Sequence, residues 1–314
     1  MEARDIGVSG PAVITRRLEA PSPRYGEKAV FALLGACAIL SIITTTAIVL
    51  ALIGPTVGFF EDVPPADFLF GTDWSPAFEP PSFGVLPIVV GTLSVTLWGM
   101  VFAIPIGLGA AIYLSEYANP RVRKVIKPIL EILAGIPTVA IGFFCVAFIT
   151  PEILQKLATN APIFLALSAG VGIGLMTIPI IASISEDAMR AVPGGLREGA
   201  YAMGATRMRV ATRVVFPAAL SGIVASIVLA ISRALGETMV VVLAAGSTPN
   251  LTFDPLQSIQ AMTAYIATTA TGEIAQGTTK YDTIFAVGAL LLLMTLVMNI
   301  ISIRLVRRFR EVYE

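Results

Sequence analysis

The sequence predicts an all-α membrane protein with six transmembrane helices, on the basis of its composition and the length of its apolar runs. Of the 314 residues, 56% are hydrophobic and only 13% are charged, and the mean hydropathy is +0.84. A membrane-spanning helix needs about 20 mainly apolar residues, and six runs meet that condition. These runs do not alternate as strands would, and lipid tolerates only helices or closed barrels. They cover residues 29–53, 85–115, 132–151, 162–185, 216–245 and 284–303.

The distribution of positive charge predicts that both termini are cytoplasmic. Nearly all of the 21 Lys and Arg residues lie before span one, between spans two and three, between spans four and five, or after span six. The exceptions are Lys156, Lys280 and Arg233. Because cytoplasmic loops carry an excess of Lys and Arg, we expect a cytoplasmic tail over 1–28 and one transmembrane domain over 29–314.

The composition excludes common enzyme classes and predicts neither a catalytic nor a metal-binding residue. The chain has no histidine, which removes Ser-His-Asp and Cys-His arrangements and His-ligated metals. Its two cysteines, Cys37 and Cys145, lie in apolar runs, where we expect buried free thiols. The chain lacks the Gly-x4-Gly-Lys-Ser/Thr sequence of a phosphate-binding loop. We therefore expect it to bind no cofactor and not to hydrolyse ATP itself.

The segment at about 190–217, between spans four and five, contains a short helical pattern. Leu196, Ala200 and Met203 fall near one face of a helix. The pattern favours a short amphipathic helix parallel to the membrane. One interpretation is an interfacial helix held by basic residues and lipid headgroups. The other is a docking helix for a partner protein.

The spacing in this segment resembles the EAA loop of ABC importer permeases. That loop reads Glu-Ala-Ala, three residues, Gly, nine residues, Ile-x-Leu-Pro, and Glu198, Ala200, Gly204 and Pro217 occupy its most characteristic positions. Gly199 departs from the pattern at the second position. The resemblance implies the type I ABC importer permease fold, with this loop as a coupling helix that binds a separate ATPase subunit. ATP and Mg would then be bound by that partner.

Two further regions resemble the permeases of the phosphate-specific transport (Pst) system. One is the string Arg233-Ala234-Leu235-Gly236-Glu237-Thr238-Met239, which is more similar to the C-type subunit than to the A-type. The other comprises Gly84–Pro87, Gly91–Leu93, Ile104–Gly107, Tyr113–Tyr117, Glu131–Val139 and Gly142–Phe144. The resemblance covers about residues 30–310.

This resemblance implies a function and a set of partners. The chain would be one permease subunit of a phosphate importer in the inner membrane of a bacterium. Its partners would be a second, A-type permease, two ATPase subunits and an external phosphate-binding protein. In the Pst family the Arg and Glu that match Arg233 and Glu237 are implicated in transport.

Arg233 and Glu237 are two charges inside an apolar run. Counted from Pro217, Arg233 lies 16 residues into the predicted helix, roughly 24 Å along its axis. Charges at that depth usually face the interior of a bundle and are functional. A spacing of four residues would place both on one face. Either they form a structural ion pair, or Arg233 binds an oxyanion with its planar fork of donors while Glu237 holds the guanidinium until substrate arrives.

Three alternatives to a phosphate importer stay open at the level of the sequence. The same machine could carry another oxyanion, such as sulfate or molybdate. An ion-coupled secondary transporter could use Arg233 and Glu237 as a charge relay, although the EAA spacing weighs against it. A membrane sensor that transports nothing would need a signalling domain, which the sequence does not show. Pro137 and Pro179 could be hinges or fixed kinks.

Overall fold

The computed structural model of the chain describes residues 25–308, apart from 160, 273, 274 and 276, and this part is almost entirely helical. Its α-helices are α1 Tyr25–Asp62, α2 Pro65–Phe70, α3 Leu86–Ile112, α4 Pro120–Ala134, α5 Thr138–Phe144, α6 Gln155–Leu157, α7 Ala166–Arg190, α8 Gly194–Ala202, α9 Arg207–Val210, α10 Phe216–Ala218, α11 Leu220–Leu235, α12 Met239–Ala244, α13 Met262–Ala270 and α14 Thr279–Arg308. Strands β1 Trp74–Ser75 and β2 Ser82–Phe83 form a short antiparallel pair. Three π-helical segments lie at Tyr113–Tyr117, Cys145–Leu154 and Ala211–Val215.

The chain divides into two compact units, residues 1–50 and 51–314. The described part of the first unit, residues 25–50, is the larger, N-terminal part of α1. Cys37 in this part is exposed, contrary to expectation, whereas Cys145 in the second unit is buried as expected. Most of the predicted cytoplasmic tail, residues 1–24, lies outside the described residues. The helices and sites discussed below belong to the second unit.

Five described helices are long and apolar enough to cross a membrane, and a bent pair raises the number to six if it forms one span. The five are Tyr25–Asp62, Leu86–Tyr117, Thr138–Leu157, Ala166–Arg190 and Thr279–Val306, and the bent pair is Arg207–Ala218 with Leu220–Leu235. Each predicted apolar run therefore overlaps one of these segments. The structure gives longer helices than the sequence predicted in the first and last runs.

The third span begins later than the sequence predicted. The predicted run, 132–151, starts within α4, but the helix that is long enough to span is Thr138–Leu157. Helix α4 ends at Ala134, and Pro137 stands at the N-cap of α5 with φ −56° and ψ 130°. Proline has no backbone N–H and clashes with a preceding helical turn, so it marks the start of a helix here. The sequence left Pro137 open as a hinge or a fixed kink inside the third span, but the structure places it at the start of the helix that is long enough to span.

The fifth span is not the continuous helix over 216–245 that its apolar composition predicted. Segments Arg207–Ala218 and Leu220–Leu235 meet at an angle of 72°. A second interruption at residues 236–238 separates α11 from α12. Proline and glycine explain both breaks: Pro217 donates no backbone hydrogen bond, and Gly236 follows the last turn of α11. By contrast, α7 continues through Pro179 without a break.

The core of the second unit is the close packing of α3 on α7. Glycines line this contact on both helices, as is common where membrane helices approach closely. A Cβ atom added at Gly170 would lie 2.7 Å from the Cβ of Trp98 and 3.2 Å from the backbone nitrogen of Gly99. One added at Gly174 would lie 3.2 Å from the carbonyl oxygen of Gly99. A side chain at Gly170 would therefore force a neighbouring atom to move, and one at Gly174 would be tightly packed against α3.

We predict that Gly170→Ala destabilises the fold, because the added methyl group meets the Cβ and backbone of α3. Overpacking of this kind typically costs about 1–3 kcal/mol. The midpoint of thermal unfolding in detergent should fall. Gly109→Ala is the matched control, since a Cβ there has no neighbour within 4 Å. Equal midpoints for the two variants would contradict the packing described here.

Candidate functional site

The segment that resembles a coupling loop forms a helix with a defined end. Helix α8 spans Gly194–Ala202, and the N–H of Gly204 donates to the carbonyl of Tyr201 at 2.9 Å. The N–H of Ala205 donates to the carbonyl of Ala200 at 3.1 Å. These two bonds form a Schellman motif, in which the residue after the C-cap adopts a left-handed conformation. Gly204 is that residue, with φ +79°.

One side of α8 packs on the bundle and the other side is exposed. Ala200 is partly buried against a cluster that includes Met189, Val192 and Val210. Glu198 and Tyr201 are exposed, and Met203 exposes 88% of its surface. Pro217, the last of the EAA positions, is exposed in α10. The side that carries Glu198 is therefore available to a partner.

Arg197 joins α8 to two membrane-spanning helices, a role that the sequence did not reveal. Its guanidinium donates to the carbonyls of Met189 and Val192 at 2.7 Å each, at the end of α7. It also donates to the Glu116 carboxylate at 3.3 Å, at the end of the span that contains α3. Glu116 is buried. A displacement of α8 would therefore act on the ends of both spans.

Helix α4 is fixed to α7 by charge, which the sequence did not reveal either. Glu186 on α7 is fully buried and accepts hydrogen bonds from Arg123 at 2.7 Å and from Lys127 at 3.0 Å. Lys127 also pairs with Asp187. A buried carboxylate is tolerated when such partners satisfy it. The partners are on a separate element, so only the tertiary structure identifies them.

These contacts change the pKa of both cations in the same direction. The hydrogen bond to Glu186 raises the pKa of the Arg123 guanidinium, and burial of Arg123 only partly opposes it. Burial would lower the pKa of the Lys127 ammonium, but its hydrogen bonds to Asp187 and Glu186 outweigh burial and raise it. The contact between α4 and α7 therefore keeps its positive charges over the physiological pH range.

Arg233 lies in the last turn of α11 and lines a cavity of about 730 Å³. The cavity lies between α4, α7, α11 and α14, and the residues from α7 include Pro179 and Ser183, near the middle of that 25-residue helix. The mid-membrane depth that the sequence predicts for Arg233 stays a prediction. Within the part of the chain that the structure describes, Arg233 has no hydrogen bond or ion pair. Its donors are available to a ligand.

Glu237 lies near Arg233 in sequence, but the structure does not bring the two charges together. It follows the end of α11, is buried, and accepts a hydrogen bond from the backbone N–H of Val240 at 3.4 Å. No ion pair joins it to Arg233 among the described residues. The expectation that both side chains share one helical face was wrong, because the helix ends at Leu235. Glu237 instead caps the first turn of α12.

Comparison with known proteins identifies the family. A family model described as "Binding-protein-dependent transport system inner membrane component" matches residues 103–311. The chain belongs to this family. It is accordingly a multi-pass protein of the bacterial inner membrane, as its apolar helices indicate.

Three relatives are similar to this chain over most of their length. The probable ABC transporter permease protein YqgH of Bacillus subtilis is 34% identical over 262 residues, which cover 83% of this chain and 84% of the relative. The phosphate transport system permease protein PstC of Pasteurella multocida is 31% identical over 265 residues, 78% and 80% of the two chains. PstC 1 of Mycobacterium tuberculosis is 33% identical over 249 residues, 72% and 73%. The resemblance to C-type Pst permeases is confirmed.

Solved structures share the fold at low sequence identity. A chain of a bacterial alginate ABC transporter, in complex with its alginate-bound periplasmic protein, matches with a TM-score of 0.66 and 18% identity over 90% of this chain and 95% of its own length. A chain of the MetNI methionine ABC transporter in an inward-facing conformation matches with a TM-score of 0.53 and 21% identity over 73% and 95%. The fold is that of ABC importer permeases.

We predict that Gly204→Ala loosens the end of α8. A left-handed conformation costs an alanine about 1–2 kcal/mol, so the two terminal hydrogen bonds should open more often. Hydrogen–deuterium exchange at the amides of 204 and 205 should be faster. Gly199→Ala is the control: its Cβ meets nothing within 4 Å, and alanine favours a helix interior by about 0.5–1 kcal/mol. Faster exchange in both variants, or in neither, would refute the Schellman motif.

Proposed function

We propose that this chain is a permease subunit of an ATP-driven importer of inorganic phosphate and forms half of the translocation pathway. The observation that carries the proposal is Arg233, an arginine that lines a cavity and has no partner within the described residues. The sequence predicts that this arginine lies at mid-membrane depth. Membrane charges of this kind are costly and are functional by default. An anion that passes through the cavity would supply the missing countercharge.

The chemistry of arginine favours an oxyanion as substrate. A guanidinium presents several N–H donors in one plane, and two of them match two oxygens of a phosphate. Ser183, Ser232 and Asn299 line the same cavity and add hydroxyl and amide groups. Relatives that are 31–33% identical carry the name phosphate transport system permease. Together these points favour phosphate over sulfate or molybdate.

We further propose that α8 couples the bundle to a separate ATPase. Its exposed face carries Glu198, and Arg197 ties the helix to the ends of two spans. Closure of an ATPase dimer against this face would therefore move α7 and α3. ATP and Mg would be bound by two ATPase subunits, with a second, A-type permease and an external phosphate-binding protein completing the importer. Both termini would be cytoplasmic.

An ion-coupled secondary transporter is the weaker candidate. That function would use Arg233 and Glu237 as a charge relay, which requires contact between them at some stage. In this structure Glu237 accepts from the backbone of Val240 instead. The carbonyl of Glu237 also accepts from the hydroxyl of Thr263 at 2.7 Å, which holds this segment against α13. Membership of the binding-protein-dependent transport family also favours an ATP-driven importer.

We predict that Glu198→Lys uncouples transport from the ATPase, because it reverses a charge on the exposed face of α8. The variant should reach the membrane, but ATPase co-purification and phosphate uptake should both fall. A cysteine at Ala202 should crosslink to the ATPase and not to the external binding protein. Gly199→Ala, on the same helix, should retain both activities. Normal uptake with normal ATPase attachment in Glu198→Lys would exclude α8 as the coupling helix.

We predict that Arg233→Gln strongly reduces phosphate uptake while the complex still assembles. The change keeps much of the size but removes charged hydrogen bonds of about 1.5–3 kcal/mol, which corresponds to about a tenfold to hundredfold loss. Arg233→Lys should restore only part of the uptake, since an ammonium lacks the planar fork. Arg304→Gln, an exposed arginine outside the cavity, is the control. Wild-type uptake by Arg233→Gln would remove the proposed anion site.

A further inference from the structure

The cavity that contains Arg233 also contains a carboxylate that no mechanism above uses. Glu131 on α4 lines this cavity of about 730 Å³ together with Arg233. Glu131 forms no ion pair with Arg233, nor any hydrogen bond or ion pair with the other described residues. Both charges therefore face the cavity without satisfying each other. A carboxylate in an anion pathway repels most anions, so its presence there requires an explanation.

The position of Glu131 is set by the anchoring of α4. Arg123 and Lys127 bind the buried Glu186 on α7, and Lys127 precedes Glu131 by one helical turn. The helix begins at Asn119, whose side chain accepts from the N–H of Val122 at 2.8 Å. Helix α4 has no buried residue of its own, so these polar contacts hold it against α7. They hold α4, and with it Glu131, at the cavity that Arg233 also lines.

A carboxylate can distinguish an oxyanion that carries a proton from one that does not. An ionised carboxylate only accepts hydrogen bonds, so it needs a donor from the ligand. Inorganic phosphate keeps at least one O–H near neutral pH and can donate it, whereas sulfate is fully deprotonated and can only be repelled. Arg233 attracts both anions through charge and does not require a proton on either of them. The pair of charges therefore distinguishes two anions of nearly the same size and shape.

We propose that Glu131 is a specificity-determining residue of the pathway, which accepts a hydrogen bond from a protonated oxyanion held by Arg233 and rejects an oxyanion without a proton. This inference rests on the proposed function, because it requires that the Arg233 cavity is the anion site. It deepens that function by naming the class of substrate: an oxyanion with an O–H group. Specificity of this kind combines an attractive contact with a repulsive one.

The test uses the complete importer in liposomes, with ATP and sulfate inside and phosphate with its external binding protein outside. Sulfate reaches the pathway from the inside and so bypasses selection by the binding protein. Internal sulfate should inhibit phosphate uptake weakly in the wild type. In Glu131→Gln the half-inhibiting sulfate concentration should fall at least about tenfold, because one repulsive charge is removed. Glutamine also offers an N–H donor that sulfate can accept.

The variants separate the possible outcomes. Glu131→Asp keeps a carboxylate and should keep resistance to sulfate, and Glu131→Ala should lose it even if glutamine perturbs the site. Glu152→Gln, a carboxylate that pairs with Lys156 outside the cavity, should behave as the wild type. Unchanged sulfate sensitivity in Glu131→Gln and Glu131→Ala, with uptake still dependent on Arg233, would overturn the inference and leave the proposed function standing. Uptake that is independent of Arg233 would overturn the proposed function itself.

Discussion

The close contact between α3 and α7 is the constraint on which the other sites depend. Glycines at the interface bring the backbones together, with Gly170 and Gly174 on α7 facing the backbone around Gly99. Without a hydrophobic driving force between helices in lipid, such packing supplies much of the stabilisation. Its consequence is that α7 is fixed in the bundle along much of its length. Elements attached to α7 therefore have a rigid reference.

Three functional elements use α7 as that reference. Helix α4 is attached through Glu186, and helix α11 through a hydrogen bond of 2.7 Å between the buried hydroxyls of Ser185 and Ser226. Helix α8 is attached through Arg197, which donates to carbonyls at the end of α7. The cavity with Arg233 is lined by residues of the first two of these helices and of α7 itself, together with Asn299 of α14. A movement imposed on α8 could thus reach the cavity through a single packed helix.

The attachments are polar, which suits a machine that must change conformation. Separation of two packed apolar surfaces costs free energy in proportion to the apolar area that becomes exposed. A charge-assisted hydrogen bond is directional and strong, and it can exchange one partner for another. Glu186 has three cations within 4.0 Å: Arg123, Lys127 and, at 3.7 Å, Arg190. If α4 shifts on α7, the carboxylate can keep at least one of them and avoid the cost of an unpaired buried charge.

Properties with a local physical cause could be predicted from the sequence. Apolar runs locate the membrane helices, because bilayer thickness sets their length. The spacing of Leu196, Ala200 and Met203 indicates α8, which the structure contains. The role of Gly204 is also local, because a Schellman motif requires a left-handed residue. The start of the third span could have been placed from Gly135 and Pro137, but the apolar composition on both sides concealed the boundary.

Properties that depend on distant residues could not be predicted in this way. Glu186 and Arg123 form a hydrogen bond although 63 residues separate them in the sequence. Their pairing follows from the packing of α4 on α7, and this packing cannot be predicted from a repeating pattern in the sequence. In the sequence Glu131 belongs only to a string that resembles the Pst permeases, and its place at the same cavity as Arg233 depends on that packing. Side chains that meet across a cavity are identified by the tertiary structure and not by spacing.

The break after Leu235 explains why a spacing of four residues does not place Arg233 and Glu237 on one helical face. Residues four apart share a helical face only while the helix continues. Here the chain leaves the helix at Gly236, so the carboxylate of Glu237 turns to the backbone of α12. The guanidinium of Arg233 is left without a countercharge from its own helix.

An arginine without a partner among the described residues has an energetic consequence if it lies inside the membrane, as the sequence predicts for Arg233. Such a charge costs at least about 2.5–3.5 kcal/mol in a lipid environment. Glu131 lines the same cavity but forms no ion pair with Arg233. Its charge therefore reduces that cost only by attraction across the cavity. Water or an anion in the cavity is therefore needed to solvate Arg233. In the proposed anion pathway, the cavity would therefore be more stable with an anion in it than when it is dry, because the anion supplies the countercharge of Arg233.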